Sequence, residues 1–313
     1  MAVVQTVLGP VEADALGAIL SHEHVLTGVE RFHYPWRFDM EATRRRAVEE
    51  LREAKAGGID TIIDLTTPDL GRDVRYMADV AREAGVHVVV ATGIWRDIPR
   101  YFWERDPDDI AEIFTREIVV GIEDTGIRAG AIKVANDVEG VTPEAERILR
   151  AAARASVRTG TPISTHHAAP EQVGRRQIEI LLGEEGVPPH RVCIGHSADT
   201  TDIAYLEELL RAGVYLSMDR YPGRPGRVQW PERNDTVRAL VERGWAHRLM
   251  LGHDYAPAPV VLGQQPVRDT PTRYLFVSTT AIPALRGAGV TDEAIDTMMR
   301  ETPRRFLCGE PGQ

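Results

Sequence analysis

Cysteine is scarce in this chain. Cys193 and Cys308 are the only two in 313 residues, too far apart for a CxxC pair and too few for a disulfide framework. That scarcity suits a reducing cytosol. Long apolar runs are missing too: none approaches the roughly 18 residues that a membrane-spanning helix needs. The first five residues, Met1-Ala2-Val3-Val4-Gln5, place no basic segment ahead of an apolar one, so no secretory leader is expected. Positive charge is also in deficit. With 37 basic against 47 acidic side chains the net charge is −10, which argues against nucleic acid or an anionic membrane as partner. There is no low-complexity tract, no heptad repeat and no Ser/Gly linker. What remains is a soluble, cytoplasmic globular chain, whose 43% hydrophobic content is enough for a large core.

What is present is an alternation. Short β-branched or apolar runs recur at Ala18-Ile19-Leu20, Thr61-Ile62-Ile63, Val86 to Ala91, Ala131 to Val134, Pro162 to Thr165, Arg191 to Ile194, Val214 to Ser217 and Arg248 to Leu251. Runs of this length between turn residues read as buried parallel strands. Between them lie amphipathic stretches. Met40 to Ala56 ends at Gly57-Gly58, and Thr142-Pro143-Glu144 opens a helix through Arg158 that Gly160 closes. Further helices are expected over 73–83, 108–125, 171–185, 203–211 and 234–243. The strand ends, taken as His24, Asp64, Gly93, Lys133, His166, His196, Asp219 and Asp254, are spaced 40, 29, 40, 33, 30, 23 and 35 residues apart. Eight such units predict an α/β fold, a (β/α)8 TIM barrel forming one domain over residues 1–313, with a short hairpin in residues 1–17 turning at Leu8-Gly9-Pro10. An open doubly wound sheet is the runner-up, but the Gly-rich phosphate fingerprint expected after its first strand is missing.

In such a barrel the chemistry sits at the C-terminal ends of the strands. Those positions hold His22, His24, Lys133, His166, His196 and Asp254, six candidate ligands on five strands. The two-residue period of a strand points His22 and His24 to one side and Glu23 to the other. The same rule turns His167 and His253 away from their neighbours. Lys133 has three readings: a Schiff-base amine, a structural partner of Asp64 or Glu139, or a lysine carboxylated by carbon dioxide. The four histidines and the aspartate favour the last, since a bridging anion is what two close dications need.

These residues resemble the phosphotriesterase family of the amidohydrolase superfamily. The likeness rests on Ser21-His22-Glu23-His24, Arg116-Glu117-Ile118, Gly121 to Gly130, Ile132-Lys133-Val134-Ala135, Thr165-His166, Cys193 to Ser197, Asp199-Thr200 and His253-Asp254. It implies two divalent cations, zinc or else cobalt, iron or manganese. His22 and His24 would hold the buried one and His166 and His196 the exposed one. Carboxylated Lys133 and a hydroxide would bridge them, and Asp254 would ligate the buried metal and carry protons. Asp219-Arg220-Tyr221 and the short segment from Tyr221 to Glu232 resemble the lactonase branch, whereas Trp95 stands where many lactonases have tyrosine. The apolar stretch after Asp254, running from Tyr255 to Arg273, matches a loop that shapes an acyl-chain groove. The resemblance therefore implies a lactonase acting on N-acyl-homoserine lactones (quorum quenching), with phosphotriester hydrolysis as a side activity. The alternatives are a main phosphotriesterase activity or another small lactone or ester. A homodimer is usual in the family. Trp95, Arg220, Tyr221 and Tyr255 are the expected substrate-binding residues. Arg220 reads equally as a rim salt bridge, Trp95 and Tyr255 as packing, and Asp199 as either a ligand-orienting carboxylate or a helix cap.

Overall fold

Strands of alternating parity need two apolar surroundings, and a closed barrel supplies both. In the computed structural model, which describes residues 2–264 and 272–311, a small antiparallel hairpin comes first: β1 (Val3–Thr6) and β2 (Gly9–Glu12). Its turn is at Val7-Leu8, just ahead of the expected position, and Gly9 takes the positive φ of 108° that follows it. Eight parallel strands then pair in sequence order: β3 (Ile19–Glu23), β4 (Thr61–Asp64), β5 (His87–Gly93), β6 (Ala131–Asn136), β7 (Ile163–His167), β8 (Val192–Gly195), β9 (Tyr215–Met218) and β10 (Leu249–Leu251). The ring closes where Ser21 Oγ donates to the Leu251 carbonyl at 3.0 Å. Beyond it the amides of Asp254 and His24 donate to the carbonyls of His22 and Tyr255 at 2.9 and 3.0 Å. This is the predicted (β/α)8 barrel.

One side-chain set faces outward. Leu20, Ile62, Val88, Val90, Ile132 and Ile194 belong to the larger core beneath the helices. The other set, including Ile19, Ile63, Val89, Ala131, Cys193, Tyr215 and Met250, packs together inside the barrel with Val4 of the hairpin. Burying each apolar side chain contributes about 1.5–3 kcal/mol, and the ring is held from both faces.

The helices are α1 (Glu30–His33), α2 (Met40–Ala56), α3 (Val74–Ala84), α4 (Pro107–Val119), α5 (Pro143–Thr159), α6 (Gly174–Ile178), α7 (Ile203–Arg211), α8 (Trp230–Glu242) and three C-terminal ones, α9 (Ile282–Gly287), α10 (Asp292–Asp296) and α11 (Thr302–Cys308). Caps explain several starts: Asp39, Asp73, Thr142 and Asp202 each accept a first-turn amide. Three boundaries differ from expectation. α4 stops at Val119, because the next residues fold into a turn in which Ile122 N bonds to the Ile127 carbonyl at 2.7 Å. The 171–185 segment is helical only from Gly174, and it widens into a π-helical turn over Glu179–Glu184. α8 begins at Trp230, four residues early, because Gln229 and Glu232 form a capping box. No helix among the described residues is long and apolar enough to cross a membrane.

Candidate metal centre

Strict alternation would send His22 outward, since Leu20 packs beneath the helices. A β-bulge corrects this. Leu20 pairs with Ile62 and Glu23 with Asp64, so β3 carries one residue more than β4 across that interval. The extra residue turns both Ser21 and His22 inward, and His24 follows. Lys133 lies in the middle of β6 rather than at its end, with the inward parity of Ala131. His166 is inward on β7. His196 follows β8 in a left-handed conformation (φ 62°), and Asp254, also at positive φ (50°), lies three residues beyond β10.

The six converge at the top of the barrel and line a cavity of about 220 Å³. His22 Nε2 and His24 Nε2 approach Asp254 Oδ1 at 3.4 and 3.2 Å. Lys133 Nζ is 3.2 Å from His22 Nε2. His166 Nδ1 and His196 Nε2 face each other at 2.9 Å, and the His22 and His196 rings stack with centroids 4.8 Å apart. The opposite ring nitrogens are tied from behind. Asp219 accepts from Nδ1 of both His22 and His196, at 2.9 and 2.8 Å. Thr66 Oγ1 lies 2.9 Å from His24 Nδ1, and Asp137 Oδ2 lies 3.4 Å from His166 Nε2. Each imidazole is thus braced on one nitrogen and aimed inward with the other, the arrangement that metal-bound histidines use.

The electrostatics agree. Burial, reinforced by Lys133, lowers the His22 pKa to about 4, and burial also lowers those of His166 and His196, so these rings are neutral and offer lone pairs. Burial opposes ionisation of Asp254, but His22, His196, His24 and Arg220 outweigh it and hold the carboxyl well below its usual range. Burial brings Lys133 down to about 8 despite Asp254 and Asp219. Inward-facing neutral nitrogens this close have too few protons to satisfy one another, and His22, His24 and Asp254 offer three ligand atoms within 4.8 Å. A divalent cation fits this donor set.

The phosphotriesterase family model matches residues 2–307. This chain belongs to the phosphotriesterase family. A "phosphotriesterase homology protein" of Mycobacterium tuberculosis is 42% identical, over 99% of this chain and 98% of its own length. An "aryldialkylphosphatase" of Saccharolobus solfataricus is 35% identical, over 95% and 96%. The solved phosphotriesterase structure from Mycobacterium tuberculosis superposes with a TM-score of 0.91 at 40% identity, covering 99% of this chain and 100% of that one. The protein is a hydrolase of this family.

Within this family member, the expected substrate-binding residues separate into two groups. Trp95 donates from Nε1 to His166 Nδ1 at 3.3 Å, so it stands at the centre. Arg220 reaches Asp254 Oδ2 from Nε at 3.0 Å and Asp199 Oδ2 from Nη1 at 2.6 Å, and lines the cavity. Tyr221 and Tyr255 do not belong to the mouth. Tyr221 is buried with its hydroxyl on Asn234, and the Tyr255 hydroxyl bonds Glu50 and Arg46; neither lines the cavity. The alternation after β9 and β10 turns them into the layer beneath the helices, which corrects the expectation for both.

Asp199 caps nothing, since Asp202 caps α7; it holds Arg220 and Arg233 instead. The structural partners weighed for Lys133 are engaged elsewhere: Asp64 accepts the amides of Val25 and Thr66, and Glu139 pairs with Arg96. His167 and His253 face away as expected, His253 onto Glu23 at 2.7 Å and His167 onto the Gly195 carbonyl at 2.6 Å. The functional carboxylates that sequence reasoning missed are Asp219 and Asp137. Asp219 carries a signal in hindsight, because it shares the inward parity of Ser217. Of the apolar stretch Ala256–Leu262, only Ala256 lines the cavity; Val260 and Leu262 bond the backbone near α1 and α2. Residues 265–271 of the expected acyl groove lie outside the described residues.

Proposed function

We propose that the protein opens lactones at a binuclear metal centre, and that N-acyl-homoserine lactones are the first substrates to test. His22, His24 and Asp254 would hold one cation and His166 and His196 the other, with Lys133 between them. Burial leaves Lys133 an appreciable neutral fraction near pH 8, and a neutral amine can add to carbon dioxide, losing a proton to become a carbamate. Bound here, divalent cations supply Lewis acidity: they make water acidic enough to attack near neutral pH and draw charge from the carbonyl oxygen. The chain's own residues do the rest. Asp254, ionised at neutral pH, accepts the proton of the attacking water and passes it to the alkoxide released by ring opening. Trp95 crowds His166 on the cavity side and narrows the approach to the carbonyl.

The observation that carries this reading is Arg220 holding Asp254 Oδ2 at 3.0 Å. It keeps a carboxylate charged and aimed beside the site. A lactone's alkoxide needs the returned proton, while an aryl phosphate triester has a leaving group that does not. Phosphotriester hydrolysis is then a slower side reaction.

The test uses metal-loaded enzyme. Acyl-homoserine lactones should turn over faster than a paraoxon-type triester, and chelation should abolish both activities. Faster triester turnover overturns the lactone reading, and full activity after complete metal removal overturns the metal reading. A second reading, that the lactone or ester is small and charged, is favoured by the arginines beside the centre.

A further inference from the structure

Beside the metal centre lies a second cavity of about 300 Å³. Trp95, His166, Arg220 and Arg224 line both, so the two form one opening. Its charge is opposite to that of the whole molecule. Five arginines in its wall, Arg96, Arg220, Arg224, Arg227 and Arg233, face the three carboxylates Asp137, Glu171 and Asp199. Three of the arginines are engaged. Arg96 pairs with Asp137, while Arg220 and the buried Arg233 share Asp199. Arg224 and Arg227 are exposed, and among the described residues neither has a carboxylate within ion-pair distance.

The backbone that carries this pair is fixed. The Gln229 side chain donates from Nε2 to the carbonyls of Arg224 and Arg227 at 2.6 and 2.7 Å. Arg227 N donates to the Arg224 carbonyl at 3.0 Å, and Arg233 Nε reaches the Val228 carbonyl at 3.1 Å. Gly223 makes the tight turn possible: its φ is 99°, and a Cβ there would lie 2.5 Å from the Val228 carbonyl oxygen. An anchored loop thus holds two uncompensated guanidinium groups over the entrance of a catalytic cavity.

We infer that Arg224 and Arg227 form an anion subsite, which takes a carboxylate or other oxyanion borne by the substrate at the end away from the reacting carbonyl. This rests on the hydrolase reading above and narrows its substrate class. A guanidinium fork matches a carboxylate in two parallel hydrogen bonds, and the excess of positive charge in the wall favours an anionic substrate over a neutral one.

The experiment compares N-hexanoyl-homoserine lactone with the same molecule ending in a carboxylate. Binding to metal-loaded enzyme is read by calorimetry at constant ionic strength and at a temperature where turnover is slow, and turnover is measured separately. Wild-type enzyme should bind the carboxylate form at least about tenfold more tightly, a difference of roughly 1.4 kcal/mol. The preference should vanish in the Arg224→Ala/Arg227→Ala variant and survive in part in the Arg224→Lys/Arg227→Lys variant. Equal binding of the two ligands by wild type overturns the subsite. So does a preference that persists in the alanine variant, which would place the anion on the metals. If neither compound is opened but the preference is present, the lactone reading fails while the anion subsite stands.

Discussion

At the scale of single residues, the centre depends on side chains that never touch a metal. Asp219 is the clearest case. It is fully buried and accepts from two histidines, the His196 amide and the Ser217 hydroxyl. Burial alone would keep it protonated, but His196 and His22 hold it ionised. Asp219→Asn keeps the shape and loses the charge and one acceptor. Metal affinity should fall about 10–100-fold, measured by competition with a chromophoric chelator, with the fold kept by circular dichroism. The candidate ligands themselves could be read from the sequence because all but Lys133, which sits in the middle of β6, lie at or near a strand end. Their supports could not. Asp219, Asp137 and Thr66 belong to different strand–loop junctions, and only the closed ring brings them behind the imidazoles.

At the scale of elements, strand parity was legible and its interruption was not. The period of two placed His22 and His24 together and Glu23 opposite, but the bulge that decides which side is inward shows only in the pairing of β3 with β4. The starts of α2, α3, α5 and α7, marked by Asp or Thr caps, were found within a residue, whereas the start of α10 behind its Thr291 cap was missed and the π-helical turn after α6 left no signal that periodicity can read. β5 and β6 meet where Gly93 pairs with Lys133. Gly93 has φ 111°, and a Cβ there would lie 2.0 Å from the Lys133 carbonyl oxygen. Gly93→Ala should therefore cost about 2–4 kcal/mol in chemical denaturation, combining backbone strain with overpacking. It should also weaken metal retention, because it displaces the strand that carries Lys133.

At the scale of the whole molecule, the barrel was legible from eight recurring strand–helix units, and its closure follows from contacts more than 200 residues apart. Glu23 accepts from the His253 and Tyr255 amides at 2.8 and 3.1 Å, joining the last unit to the first. At the opposite end Asp60 accepts the Ala18 amide at 2.9 Å and Lys55 Nζ at 2.7 Å. Partial burial would raise the Asp60 pKa, but Lys55 and that amide lower it overall. A carboxylate depressed on folding stabilises the protein above its unfolded pKa near 4 and loses that contribution as pH falls through the folded value. Asp60→Asn should thus destabilise by about 1 kcal/mol at pH 7, a modest figure because the pair is only partly buried. The gap from wild type should shrink below pH 4, as read from denaturation midpoints across pH.

The run Asp254–Arg220–Asp199–Arg233 leads from the reacting centre to a fully buried guanidinium and looks like a wire for protons. A guanidinium does not release its proton in proteins, so the run conducts nothing. On the proposed mechanism, a proton taken up by Asp254 goes on to the departing oxygen or to the solvent in the opening. Each turnover therefore settles its own acid–base account at the mouth, and the protein interior stays electrically still.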